Sequence, residues 1–143
     1  MKSDLAPVTK RSNCPISYTM DFLGNKWTVL ILRDIIFNQK NSFREFLDSD
    51  EKIASNILSS KLSLLEANGF LLKKVSAFDK KKFLYYLTEK AIDMLPIIIE
   101  IMIWGTKYNP DNCLEKVQKE VAKNKTLAIR KYTEILRSQL AKA

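Results

Sequence analysis

The spacing of the apolar residues in this chain changes once, at Asn68-Gly69, and that change restricts the fold more than any other feature of the sequence. Upstream of it the apolar residues recur at helical intervals. Pro15 suits the first turn of a helix that begins after Cys14 and runs to Leu23, with Gly24-Asn25 as its stop. A second helix carries Trp27, Leu30, Ile31, Asp34 and Ile35 and ends within residues 38–41. Ser42, three residues before Glu45, predicts a capping box on a short helix with Phe43, Phe46 and Leu47. After an acidic link at residues 48–51, Ile53, Ile57, Leu58, Leu62 and Leu65 form the stripe of a fourth helix over residues 54–68, which Gly69 stops.

Downstream, the pattern becomes β-prone. Residues 71–76 and 83–87 flank a charged tip, Phe78-Asp79-Lys80-Lys81-Lys82, which predicts a hairpin. Thr88-Glu89-Lys90 opens a long apolar helix to Tyr108, where Asn109-Pro110-Asp111 breaks it. A last basic amphipathic helix is expected over residues 112–140. A two-stranded hairpin cannot stand alone in water and must pack on the helices. The expected fold is therefore mainly α with a small β-hairpin, a winged helix-turn-helix followed by terminal helices. Three stretches follow: a loose polar arm at residues 1–13, a DNA-binding and dimerisation domain at 14–110, and the basic C-terminal helix at 111–143.

Charge position points to a partner. The 143 residues carry 24 Lys and Arg against 16 Asp and Glu, a net charge of +8. Between Lys73 and Thr88 there are five lysines and one aspartate, so half of the excess sits on the hairpin. A wing there would lie against DNA phosphates, whereas a merely solvated loop would use its lysines to keep an edge strand soluble. Following a helix-turn-helix pattern, the first reading is the better one. On the fourth helix the apolar stripe docks inward and leaves Ser55, Asn56, Ser59, Ser60 and Ser63 outward, with Lys61 flanking them. Asparagine can read adenine through two hydrogen bonds, and serine hydroxyls reach base edges or phosphate. Arg44, on the short helix, is placed to clamp backbone at the groove edge. The expected DNA-binding set is thus Arg44, Ser55, Asn56, Ser59, Ser60, Lys61, Lys80, Lys81 and Lys82.

The absence of histidine excludes His-based triads, a His general base and His-containing metal sites, and two distant cysteines make no zinc cluster. No enzyme activity, metal or cofactor is expected. The amino terminus has no apolar core of a secretory signal, and the most apolar stretch, residues 95–104, is short and holds Pro96 and Glu100, so no membrane span is expected. The chain reads as cytoplasmic.

Several motifs in order resemble the HxlR-type winged-helix transcriptional regulators of the MarR-like superfamily. They are Cys14-Pro15, the run from Leu23-Gly24-Asn25-Lys26-Trp27 to Leu32-Arg33-Asp34, Phe43-Arg44-Glu45-Phe46, Asn68-Gly69-Phe70, Tyr85-Tyr86-Leu87-Thr88 and Trp104-Gly105. The resemblance spans about residues 14–108. It departs from the pattern at Lys80-Lys81, where a proline pair is frequent, at Ala91, where glycine is usual, and at Ala54, where a hydroxyl cap is common. The resemblance implies a homodimer on a palindromic operator, a repressor as the default, and terminal helices packed across the two-fold axis. The residues agree: Ile97, Ile101 and Trp104, with Ile98, Ile99, Met102 and Ile103, make a helix apolar nearly all round, which a domain this small has difficulty covering alone. Packing within one chain is the alternative.

Cys14 is the sharpest chemical candidate. A thiol at a helix start, with Lys10 and Arg11 just upstream, is placed to favour thiolate, the form that oxidants and electrophiles attack. The resemblance implies a redox-sensing role near this position, and a small, buried, inert thiol fits the residues equally. Cys113 could pair with it between subunits, at a distance the sequence does not give. Other classes compete with the regulator. A non-specific nucleic-acid binder could use the same wing, a small-molecule effector could replace thiol control, and residues 111–143 could lie on a membrane surface, against which Glu115, Glu120, Glu134 and the lack of Trp or Phe argue. The expected partners are double-stranded DNA, a second copy of the chain, and an oxidant, electrophile or small-molecule effector, with no membrane.

Overall fold

The computed structural model describes residues 10–143; residues 1–9, most of the expected arm, lie outside the described residues. The elements run α1 (Pro15–Leu23), α2 (Lys26–Ile36), α3 (Phe43–Leu47), α4 (Ser55–Ala67), β1 (Leu71–Val75), β2 (Phe83–Leu87), α5 (Glu89–Ile92), α6 (Leu95–Tyr108), α7 (Glu115–Lys123) and α8 (Lys125–Ala141). This is the mainly helical chain with one antiparallel hairpin that the sequence predicts, and its winged helix-turn-helix core is α2 to β2.

Local chemistry fixes most boundaries. Gly24 ends α1 where a Cβ would come within 2.5 Å of the Met20 carbonyl oxygen, so only glycine fits the turn. Asn25 then caps α2, its Oδ1 accepting the N–H of Trp27 at 2.9 Å and of Thr28 at 3.4 Å. The box on α3 is present: Ser42 Oγ accepts from the Glu45 N–H, and Glu45 Oε1 accepts from the Ser42 hydroxyl at 2.7 Å and the Asn41 N–H at 3.3 Å. Gly69, at φ +78°, turns the chain from α4 into the hairpin through the left-handed region that its lack of a side chain makes cheap.

Two expected helices are each divided. The long apolar helix is α5 plus α6, because Pro96 has no N–H to donate to the Ile92 carbonyl and its ring crowds that turn. The C-terminal helix is α7 plus α8, because Asn124 takes an extended conformation and caps α8 through Leu127 N–H at 3.0 Å. The two halves fold back as a helical hairpin against the rest of the chain.

A single apolar core joins every helix to the hairpin, from Phe22 and Leu32 through Phe46, Leu58, Leu62, Phe70 and Ile99 to Val121, Tyr132 and Leu136. Leu58, Leu62 and Leu65 anchor α4 in it, each burial contributing about 1.5–3 kcal/mol. In the hairpin Leu71 faces Leu87 and Val75 faces Phe83. The Tyr85 N–H donates to the Asn41 carbonyl at 2.8 Å, which ties the wing to the α2–α3 connection.

Candidate nucleic-acid interface

The approach to α4 is set by a polar cluster at the end of α2. Asp34 is buried, and its Oδ1 accepts from Arg33 Nε at 3.0 Å, Arg33 Nη2 at 2.9 Å and Asn38 Nδ2 at 2.9 Å, while its Oδ2 accepts from the Ser49 hydroxyl. Arg33 also forks onto Glu51, at 2.6 Å and 2.9 Å, and Lys40 Nζ donates to Ser49 Oγ at 3.1 Å. Ser49 and Glu51 belong to the α3–α4 connection, so this cluster fixes where α4 begins. The fork holds the Glu51 carboxyl down at about 2, against the partial desolvation that opposes it, and raises Arg33 further above its ordinary value.

On α4 the polar face is outward as expected, except at Ser63, which is half-buried. Ser55, Asn56, Ser59 and Ser60 are exposed and Lys61 is half-buried on the flank. Ala54 occupies the cap position with extended geometry and no side-chain hydrogen bond. Beside α4 an open groove runs between α3 and the wing. Arg44, Ser59, Lys81 and Lys82 line it together with Lys73, Phe83 and Tyr85. Ser55, Asn56, Ser60, Lys61 and Lys80 lie outside that lining, and all but Lys61 are exposed. Lys73 was not among the expected residues, although it sits in the same lysine-rich hairpin; its ammonium stands 4.2 Å from the Phe83 ring centroid. Asp48, Asp79 and Glu45 also line the groove. Asp79 is engaged in the wing turn, accepting the Lys81 N–H at 3.0 Å, and Glu45 in the α3 cap.

Away from this groove, α6 divides its apolar surface. Ile98 and Ile99 enter the core, while Ile97, Ile101 and Trp104 face solvent, Trp104 with 69% of its surface exposed. Tyr108, absent from the expected set, extends the stripe and contacts Trp104 with ring centroids 5.1 Å apart. Helices α7 and α8 cover other parts of α6, so the sequence's helix "apolar nearly all round" is partly satisfied within one chain.

Cys14 caps α1 with an exposed side chain that makes no capping hydrogen bond, and its N–H donates to Ser12 Oγ at 3.1 Å. It is therefore not the buried thiol that the residues alone allowed. Arg11, just upstream of it, pairs its guanidinium with Asp21. Cys113 is a free, exposed thiol as well. Among the described residues no group of three or more His, Cys, Asp or Glu side chains could hold a metal ion, and no helix is long and apolar enough to cross a membrane.

Comparison with known proteins places this geometry. The HxlR-like helix-turn-helix family model matches residues 22–113. An HTH-type transcriptional regulator of Halalkalibacterium halodurans is 36% identical over 93 residues, 65% of this chain and 82% of that one. The HTH-type transcriptional regulator YdeP of Bacillus subtilis is 34% identical over 95 residues, 66% of this chain and 73% of its own. Among solved structures, the redox regulator HypR in its oxidised form superposes with a TM-score of 0.60 at 29% identity, covering 67% of this chain and 98% of that one. The curated relatives are transcriptional regulators rather than enzymes. Helices α7 and α8 lie beyond the matched segment.

Proposed function

The chain belongs to the HxlR-like helix-turn-helix family, and from that premise we propose a cytoplasmic, homodimeric repressor that binds a palindromic operator and is switched by thiol modification at Cys14. The observation that carries the DNA part is the groove between α3, α4 and the wing, where Arg44, Ser59, Lys73, Lys81 and Lys82 converge beside the exposed polar face of α4. A recognition helix of this kind enters the major groove, so Ser55, Asn56, Ser59 and Ser60 meet base edges there while Lys61 and Arg44 hold phosphate. Lys80, Lys81 and Lys82 supply the sequence-independent attraction.

The dimer reading is supported by the solvent-facing row Ile97, Ile101, Trp104 and Tyr108 on α6, an apolar face of the kind that monomers rarely leave open. A two-fold dimer then presents two recognition helices, and a palindrome follows from the symmetry. The thiol switch is supported by the exposed, unpaired Cys14 and by the similarity to HypR, a redox regulator. A quinone adds to the Cys14 sulfur, whereas a disulfide-forming oxidant such as diamide takes two electrons and two protons from two thiols.

Selection of bound sequences from random duplex DNA, before and after diamide or quinone treatment, tests all of this. The expected result is an enriched palindrome that the treated protein loses and the Cys14→Ser variant keeps. An enriched palindrome insensitive to treatment replaces the thiol switch with a small-molecule effector. No enrichment removes the specific regulator in favour of non-specific nucleic-acid binding.

A further inference from the structure

Phe78 occupies the apex of the wing with 101% of its surface exposed, as open as a side chain can be. The turn that presents it is built rather than loose. Ser76, itself buried, accepts through Oγ from the N–H groups of Phe78 at 3.2 Å and Asp79 at 3.3 Å. The Ser76 N–H donates to the Lys82 carbonyl at 2.8 Å, the Lys82 N–H donates to the Asp79 carbonyl at 3.0 Å, and the Asp79 carboxylate accepts the Lys81 N–H. Serine and aspartate local bonds of this type fix a turn's shape. An aromatic ring held outward on such a turn gains nothing from the described residues, and the ring pairs among them do not include it.

Its surroundings name the partner. After Asp79, whose carboxylate is tied into the turn by the Lys81 N–H, come Lys80, Lys81 and Lys82, all exposed, so the apex is an apolar point beside a net cationic rim. An anionic lipid surface also sets phosphates over an apolar layer, but this apex belongs to the wing of a helix-turn-helix fold, beside the groove that α3 and α4 line. Duplex DNA matches both the apolar point and the rim, because phosphates line the edges of the minor groove and stacked bases lie between them. Proteins that enter the minor groove combine lysine or arginine with an apolar side chain that wedges between base steps, partly unstacks them and bends the duplex. We propose that Phe78 is such a wedge: the wing tip inserts its ring at a base step flanking the sites read by α4, and the lysines clamp the phosphates on either side. This deepens the DNA-binding reading above and rests on it. Because pyrimidine–purine steps unstack most easily, the wedge makes the protein prefer such a step beneath each wing without hydrogen-bonding a base there.

The test uses the full chain and the duplex that the wild-type protein enriches from a random library, labelled at its ends so that energy transfer reports the bend. Phe78→Ala, an exposed change that leaves the far-UV dichroism unaltered, is expected to weaken binding at least fivefold and to straighten the duplex. Its plot of log affinity against log salt keeps the wild-type slope, since no phosphate contact is lost. Phe78→Leu, which retains an apolar wedge, restores most of the bend. Lys80→Ala with Lys81→Ala weakens binding too, but flattens the salt dependence. A Phe78→Ala protein with wild-type affinity and bend, one that loses affinity at unchanged bend, or an unbent wild-type complex overturns the wedge and leaves the regulator standing. Failure of the wild-type protein to bind any duplex overturns both.

Discussion

Asp34 is the residue on which the geometry of the interface turns. It lies on the inner face of α2, where the sequence places it among Leu30, Ile31 and Ile35, and nothing in that spacing says why a carboxylate should be there. The answer comes from Ser49, 15 positions away, and from Arg33, which Glu51 grips from 18 positions away, and such long-range pairing carries no periodic signature. Asp34→Ala leaves Ser49, Asn38 and one side of Arg33 facing an empty buried site; breaking a buried charged cluster in this way costs about 3–5 kcal/mol. Urea unfolding should read that loss, while Asn38→Ala, which removes a single donor, should cost about 1 kcal/mol. Glu51 makes a second prediction. Its carboxyl is held at about 2 in the fold and titrates near 4.5 when unfolded. A group whose folded value is depressed contributes its stability above the unfolded value and loses it as the pH falls toward the folded one. Stability should therefore decline between pH 4.5 and 2, and Glu51→Gln should flatten that part of the profile. An unchanged acid limb in the variant would mean that the fork is solvated and idle. Cys14 illustrates the opposite case of legibility. The sequence places it at a helix start, yet its exposure and the pairing of Arg11 with Asp21 depend on tertiary contacts that no local pattern encodes.

At the scale of elements, the hairpin and the first four helices follow their local signals closely. Pro15, Asn25, the Ser42 and Glu45 box, and Gly69 act within a few residues of themselves. The two divided helices show where local reading weakens. The apolar residues from Ala91 to Trp104 continue in helical period across Pro96, and the amphipathic stripe from Leu114 to Leu140 continues across Asn124. In both places the backbone groups, not the apolar pattern, decide: one lost N–H donor at Pro96, and one side chain at Asn124 that competes for the helix it would otherwise join. The start of α4 is the complementary case. Ala54 already has extended cap geometry, with φ −68° and ψ 143°, and offers no acceptor to the first free N–H groups. Ala54→Ser should therefore stabilise the protein by about 1 kcal/mol with the backbone unmoved, raising the thermal midpoint by several degrees. Serine adds no charge at the DNA-facing end. A stabilised variant that binds DNA more tightly as well would show that fraying of α4 limits recognition, whereas stabilisation with unchanged affinity would confine the effect to folding.

For the molecule as a whole, the question is what α7 and α8 leave for a second copy. Tyr132 is buried on α8 and meets Phe37 edge-on, with ring centroids 5.3 Å apart, and Arg137 reaches Glu89 at 3.0 Å. The C-terminal hairpin thus braces α2, α5 and β2 from within the same chain. It also leaves the apolar surface of α6 exposed at the row Ile97, Ile101, Trp104 and Tyr108, with Ile103 partly open beside it. A membrane-surface role for this segment would need its apolar face outward, whereas Ala128, Tyr132 and Leu136 are turned into the core. The remaining row gives the proposed dimer its sharpest test. Ile101 and Trp104 make little of the monomer's core, so Ile101→Glu with Trp104→Glu should keep the fold and its unfolding midpoint at low concentration. If the row is the seam, two carboxylates desolvated against their two-fold mates should abolish it, and sedimentation should find a monomer. The consequence on DNA follows from linkage. In a dimer the second recognition helix finds its half-site at an effective concentration in the millimolar range, so separating the subunits removes an avidity of about 10²–10⁴. The variant should bind a full palindrome no better than an isolated half-site, with the contacts of each α4 unaltered. A variant that remains dimeric would move the seam elsewhere on the molecule; one that is monomeric yet binds the palindrome at full strength would show that a single chain suffices for recognition.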